Sequence, residues 1–464
     1  MTGKFKIVVS DLHLGIDTIK NQTPLGGFRA DVEFANLLND VRRESEEYHQ
    51  EVEFILNGDS FAFLQVPAVD LYDPDRDYRP AAYLDSSAEA SIKRLNIIAE
   101  SHPQVFTALR DFVNSTTPIR RVTIIKGNHD VHLYWPEVKN RLRHLLNATD
   151  DRSSRLLFAE SFINREGLYI EHGHQRAEQM NVYPNFNLPL DGRDRSQLYY
   201  PPGSRFLINR LLPLKADAWW IDQIQPATAA IWYALKLDFD LAARLVAEFM
   251  RELPEARANN VNPNISRSLD YLLDQLENDE DCDLLAQNYL ASSEGRKMLH
   301  QQIQVLTHNA RVSSEFYPPL VTAISYDPLE MAKLEQDAIQ MALKQCAQKL
   351  ARHGKAKVFI FGHSHQPAFE QLREGITYLN TGAWLWTQYD DDLAALNGHA
   401  LTTADQQAKL SIPRLPYAYI AYDQTEYPQP MLYDYSGRGF SWQRQENMLL
   451  KKIKGWFQQA TGVR

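Results

Sequence analysis

Six of the fourteen histidines of this 464-residue chain fall in four short runs: Ser10-Asp11-Leu12-His13, Gly127-Asn128-His129-Asp130, His172-Gly173-His174 and Gly362-His363-Ser364-His365. A fifth run, Asn57-Gly58-Asp59, brings a further carboxylate. Along an extended segment residues i and i+2 lie on the same side. Asp11 and His13 can therefore offer an oxygen and a nitrogen to one ion, and His363 and His365 can point together across the small Ser364. The runs supply at least two carboxylates, an amide oxygen and at least four imidazoles, enough for two ions if one carboxylate bridges. Nitrogen and oxygen ligands without thiolate suit Mn²⁺, Fe, Zn²⁺ or Ni²⁺ better than Ca²⁺ or Mg²⁺. Each run alone reads as a turn, an N-cap or a loop. Five in series read as a metal centre.

Each run follows an apolar stretch of strand character, and residues at the C-terminal ends of strands project from one sheet edge, where loops converge. Strand texture is seen at Phe5–Ser10, Val52–Asn57, Arg121–Lys126, Leu156–Ile163 and Leu168–Glu171. Helical spacing over about Ala30–His49, Ser86–Asn114 and Trp135–Leu146 separates them, which indicates an α/β core. From His174 to about Leu350 the chain is rich in Leu, Ala, Gln and acidic residues at helical spacing, with proline joints. Strand texture returns at KVFIFGHSH, Ile376–Asn380, Tyr417–Tyr422 and Met431–Asp434. The expected organisation is a core in two parts, 1–176 and 351–440, a helical insertion over 177–350, and a C-terminal helical extension over 441–464. The insertion leaves the core beside one candidate metal motif and rejoins it beside another, so it is expected to cap the site and select the substrate. Its stretch Trp219–Met250, rich in Trp and Leu, reads as a buried cap core or as an apolar groove for a lipid or nucleobase, with Arg205 and Arg210 near phosphate.

Composition narrows the class. Hydrophobic residues at 44% and charged residues at 23% exclude disordered, collagen-like and coiled-coil chains. With 49 Lys+Arg against 59 Asp+Glu, the net charge of −10 repels polyanions at long range, which disfavours a general nucleic-acid binder. Cys282 and Cys346 have no Cys or His at ligand spacing, and two cysteines make no disulfide framework, so a reducing, cytoplasmic setting is expected. No apolar stretch reaches the roughly 20 residues of a membrane span.

The series D-x-H, G-D, G-N-H-D, H-G-H, G-H-x-H resembles that of the calcineurin-like metallophosphoesterases, over roughly residues 5–175 and 355–385. The opening Ser-Asp-Leu-His-Leu-Gly is similar to the UDP-diacylglucosamine hydrolase and nuclease branches of that superfamily. The resemblance implies a four-layer α/β/β/α sandwich with a binuclear metal centre at one edge. It implies Asp11, His13 and His365 as ligands of one metal, Asn128, His172 and His363 as ligands of the other, and Asp59 as the bridge. It further implies His129 as the imidazole near the leaving group and Asp130 as the carboxylate that orients it. His174 is expected behind the ligands or facing substrate. The family often has Gly-Asp-x-x-Asp, whereas this chain carries Phe61 and Ala62 at the last two positions.

The expected activity is hydrolysis of a phosphodiester or phosphomonoester by a hydroxide bridging two divalent cations, Mn²⁺ foremost. The expected substrate is a phosphorylated small molecule, a nucleotide or a lipid-like ester. The alternatives are a metal-dependent nuclease and a non-catalytic scaffold of the same fold.

Overall fold

The computed structural model describes residues 4–215 with breaks at 17–18, 21–22, 25–26, 116 and 178, the single positions 221 and 245, and residues 328–385, 415–422 and 427–435. Its strands are β1 (Lys4–Val9), the short β2 (Ile19–Lys20) and β3 (Thr23–Pro24), β4 (Glu51–Asn57), β5 (Arg120–Ile125), β6 (Leu156–Ala159), β7 (Phe162–Arg165), β8 (Leu168–Glu171), β9 (Val358–Phe361), β10 (Pro367–Gln371), β11 (Thr377–Thr381), β12 (Pro416–Tyr422) and β13 (Pro428–Asp434). They form two mixed sheets, one ordered β13-β12-β1-β4-β5-β6 and the other β10-β11-β9-β8-β7, besides the β2-β3 ribbon. The fold is mixed α/β.

Alternation along each strand sorts its side chains between two apolar clusters. Phe5, Ile7 and Val9 of β1 pack with Phe54 and Leu56 of β4 against Phe34, Leu37 and Val41 of the helix Asp31–Glu47 and Val105, Leu109 and Phe112 of the helix Pro103–Asn114. Val8, Ile55 and Ile125 point the other way and meet Ile170, Val358, Ile360 and Leu379 of the second sheet. On the far face of that sheet, Tyr169, Phe359, Phe361 and Tyr378 pack against Ile339, Leu343, Ala347 and Ala351. These four recur every fourth residue along the helix Pro328–His353, the spacing that lines one helical face. Each Leu or Ile so buried contributes roughly 1.5–3 kcal/mol.

Three features differ from the sequence expectation. The helical stretch 86–114 is two helices, Ala88–Ser101 and Pro103–Asn114, because Pro103 cannot donate to the preceding turn and takes the first position of the second helix instead. The stretch Leu156–Ile163 divides between β6 in one sheet and β7 in the other. The insertion boundary at 350 falls inside the helix Pro328–His353, whose apolar face covers the second sheet, so this helix belongs with the sheets rather than with a cap. The Trp219–Met250 stretch, Ile221 and Leu245 apart, and the extension 441–464 lie outside the described residues. Among the described residues no helix is long and apolar enough to cross a membrane.

Candidate metal centre

β1 and β4 run parallel with Val9 opposite Leu56, and the loops beyond them stay paired. The amides of Asp11, His13 and Leu14 donate to the carbonyls of Gly58, Asp59 and Ser60 at 3.1, 2.9 and 3.0 Å. The second sheet delivers its loops to the same edge. Gly362 N–H donates to the His172 carbonyl at 2.9 Å, and His363 N–H donates to both Asp11 oxygens at 3.2 and 3.0 Å. A side chain on one sheet thus fixes a loop of the other.

The loops are not extended. Asp11, His13, Asp59, His363 and His365 have φ of 52°, 49°, 48°, 67° and 58°, five of the nine non-glycine residues with positive φ among those described. Left-handed conformations at i and i+2, rather than a strand pleat, turn the Asp11/His13 and His363/His365 pairs inward, which corrects the geometric expectation from the sequence. Such conformations cost of order 1–3 kcal/mol each and persist only where the surroundings enforce them. Close approach adds to the constraint: a Cβ on Gly127 would strike the Asp59 carboxylate.

The structure brings together most of the expected ligands. Asp11, His13 and His365 have ligand atoms within 4.8 Å of one another, as do Asp59, His172 and His363, and also His13, Asp59 and His129. Asp59 and His13 each belong to two of these groups. Within them His365 Nε2 lies 3.4 Å from Asp11 Oδ1, His172 Nε2 lies 3.2 Å from Asp59 Oδ2, and His13 Nε2 lies 3.9 Å from the same Asp59 oxygen. Apart from His129, which is half-buried, every one of these side chains is buried.

One observation fits this donor set to a cation. The Asn128 Oδ1 is a buried atom with no hydrogen-bond partner, an arrangement folded chains rarely tolerate without an ion or water. The electrostatics are those of buried carboxylates and imidazoles stabilising one another's charge. Burial alone would raise Asp59, but the imidazoles of His172 and His129 outweigh it and hold the carboxyl well below its ordinary range. Burial likewise opposes ionisation of Asp11, and His172 and His365 outweigh it. Against its own burial, His172 is pushed up to about 10 by Asp59 and Asp11. Burial, with His129 alongside, holds His13 well below the ordinary imidazole range.

The remaining expected residues take distinct places. His129 donates its backbone N–H to Asp59 Oδ1 at 2.8 Å, and its ring stands edge-on to His13 with centroids 4.6 Å apart. Its Nδ1 has no partner. Asp130 does not orient that ring: its carboxylate accepts the Gly127 N–H and, at 2.8 Å, the Ser60 N–H, so it fastens two ligand-bearing loops together. Burial and the neighbouring Asp59 raise Asp130 to about 7. His174 is enclosed, packed on Phe186 and His172 with ring centroids at 4.5 and 5.5 Å, and neither ring nitrogen has a partner. Arg205 and Arg210 lie half-buried on the helical turns Pro202–Phe206 and Leu207–Leu211.

Sequence reasoning passed over Lys126 and Tyr183. Lys126 is 3% exposed, donates from Nζ to the Phe186 carbonyl at 2.7 Å, and is lowered to about 8 by burial. A lysine closing an apolar strand, directly before Gly-Asn-His-Asp, is a readable signal. Tyr183, which donates to the Asn128 carbonyl, lies 55 residues from its partner and leaves none. No protein-family model matches the chain, and no curated protein matches it.

Proposed function

We propose that the chain is a metal-dependent phosphoester hydrolase of the calcineurin-like metallophosphoesterase type, with its sheets and helices layered as an α/β/β/α sandwich. The observation that carries this reading is the sharing of Asp59: it stands in one ligand group with His172 and His363 and in another with His13 and His129, as a bridging carboxylate must. The layering is supported by the three successive apolar clusters, helices on sheet, sheet on sheet, and sheet on the helix Pro328–His353.

In this reading Asp11, His13 and His365 hold one cation, Asn128, His172 and His363 the other, and Asp59 both. When bound, the pair supplies Lewis acidity, which acidifies water and neutralises phosphoryl charge. The chain's own residues do the rest. The backbone clamps at residues 11–14 and 58–60 keep the ligands in place. His129, the one half-buried imidazole of the ligand groups, would pass a proton to the leaving oxygen. The substrate is a phosphorylated small molecule, nucleotide or lipid-like ester.

The test is hydrolysis of bis(p-nitrophenyl) phosphate against p-nitrophenyl phosphate with added Mn²⁺. Turnover of either supports a phosphoester hydrolase, and the faster of the two assigns diester or monoester preference. Silence with both, at full metal loading, counts against the reading.

A further inference from the structure

Asn128 is gripped by a segment that lies outside the metal motifs. Tyr183, 3% exposed, donates its hydroxyl to the Asn128 carbonyl at 3.2 Å. Three residues on, the Phe186 carbonyl accepts from Lys126 Nζ, and the Lys126 ammonium lies over the Phe186 ring, 4.4 Å from its centroid. The Tyr183 and Phe186 rings are themselves 5.1 Å apart. The far end of the same segment is tied to the core, where the Ser86 N–H donates to Gln197 Oε1 at 2.7 Å and His132 Nε2 pairs with the Tyr200 hydroxyl at 2.7 Å. The segment is therefore a fixed strap, and it holds the peptide 126–128 on both sides of the one ligand whose oxygen is a buried amide.

We propose that Tyr183 and Lys126 are positioning residues for the metal centre. Together they clamp the loop 126–128 to the first residues of the insertion, so that the strap sets the aim of Asn128 Oδ1 and, through it, the affinity for one of the two cations. The inference rests on the binuclear reading above and deepens it, since it makes the first residues of the insertion part of the metal site. Partners of this kind, one step removed from a ligand, typically govern metal affinity by roughly 10- to 100-fold.

The test is Mn²⁺ titration calorimetry on the full chain as wild type, Tyr183→Phe and Tyr199→Phe. Tyr199 packs on Tyr183 with ring centroids 6.1 Å apart, and no hydrogen bond joins it to Asn128, so it controls for loss of a hydroxyl in the strap. The expected result is two binding events in wild type and in Tyr199→Phe. In Tyr183→Phe one event is retained and the other weakened roughly 10- to 100-fold. Wild-type affinity for both cations in Tyr183→Phe, even with a lowered melting temperature, overturns the proposal. Lys126→Met, which cuts the other grip and keeps the apolar stem, is expected to weaken the same single event. Should Tyr183→Phe not fold, wild-type binding by Lys126→Met overturns the proposal equally. Absence of Mn²⁺ binding in the wild type itself sinks the binuclear reading and this inference with it, whereas an unchanged Tyr183→Phe sinks this inference alone.

Discussion

His172 Nδ1 lies 3.1 Å from the backbone carbonyl of Asn57. A carbonyl can only accept, so Nδ1 carries a proton and Nε2 is the nitrogen turned toward Asp59 Oδ2, 3.2 Å away. The last residue of a strand in one sheet thereby orients the ring of a candidate ligand carried by the other. The Asn57 side chain completes the tie by donating to the Glu171 carbonyl at 3.2 Å. Orientation of a metal-binding imidazole through its second nitrogen is how such ligands are held in register.

His129→Ala removes the half-buried imidazole and leaves Asp11, His13, Asp59, Asn128, His172, His363 and His365 in place. It is expected to keep wild-type metal content and to lose roughly 10²- to 10⁴-fold in turnover, the contribution of a positioned proton donor. Metal analysis alongside steady-state rates checks both halves, and loss of metal together with rate would move His129 into the ligand set.

Gly127→Ala places a methyl group where the Asp59 carboxylate sits. Either Asp59 or the loop must shift, so the variant is expected to lose metal affinity and about 1–3 kcal/mol of stability through overpacking. Metal titration and urea denaturation read the two effects separately.

Leu343→Ala tests where the helix Pro328–His353 belongs. Leu343 is fully buried against the second sheet, so truncation is expected to cost about 2–5 kcal/mol. A cap helix apart from the sheets would instead give a near-neutral stability change with altered substrate preference.

At the end of β1 and β4 opposite the metal centre, Glu166 pairs with Lys6 at 2.9 Å and Lys4 at 3.1 Å. Burial would raise its carboxyl, yet the two lysines hold it down at about 2 from an ordinary 4.5. A depressed folded-state value means its contribution is complete above about 4.5 and is lost as pH falls toward about 2. Glu166→Gln is expected to be less stable than wild type at neutral pH and to show a flatter decline through that acid window. Parallel declines in the two proteins, followed by urea denaturation at each pH, would contradict this.

The candidate ligand runs were legible in the sequence because their signal is local: short apolar strands, each followed within a few residues by Asp, Asn or His. The break at Pro103 was equally local and went unread within a continuous helical pattern. Other features had no local signal. The division of 156–165 between two sheets depends on partners far along the chain, β5 for one half and β8 for the other. The helix Pro328–His353 has the same Leu, Ala and Gln texture whether it caps a site or covers a sheet, and only its neighbours decide. The family resemblance implies Asp130 as the carboxylate that orients His129, but the backbone amides of Gly127 and Ser60 occupy its oxygens. The left-handed turns at Asp11 and His13 produce the same inward pairing that a pleat would, so only the geometric ground for pairing them changes.

Asp59→Asn is the most direct test. Asparagine keeps the shape of the side chain and an oxygen to accept the His129 N–H, and removes only the charge shared between the two ligand groups. A binuclear phosphoesterase predicts two divalent cations per chain and Mn²⁺-dependent hydrolysis of a p-nitrophenyl phosphoester in the wild type, with metal content and turnover both lost in Asp59→Asn. Full metal occupancy with undiminished hydrolysis in that variant would contradict it.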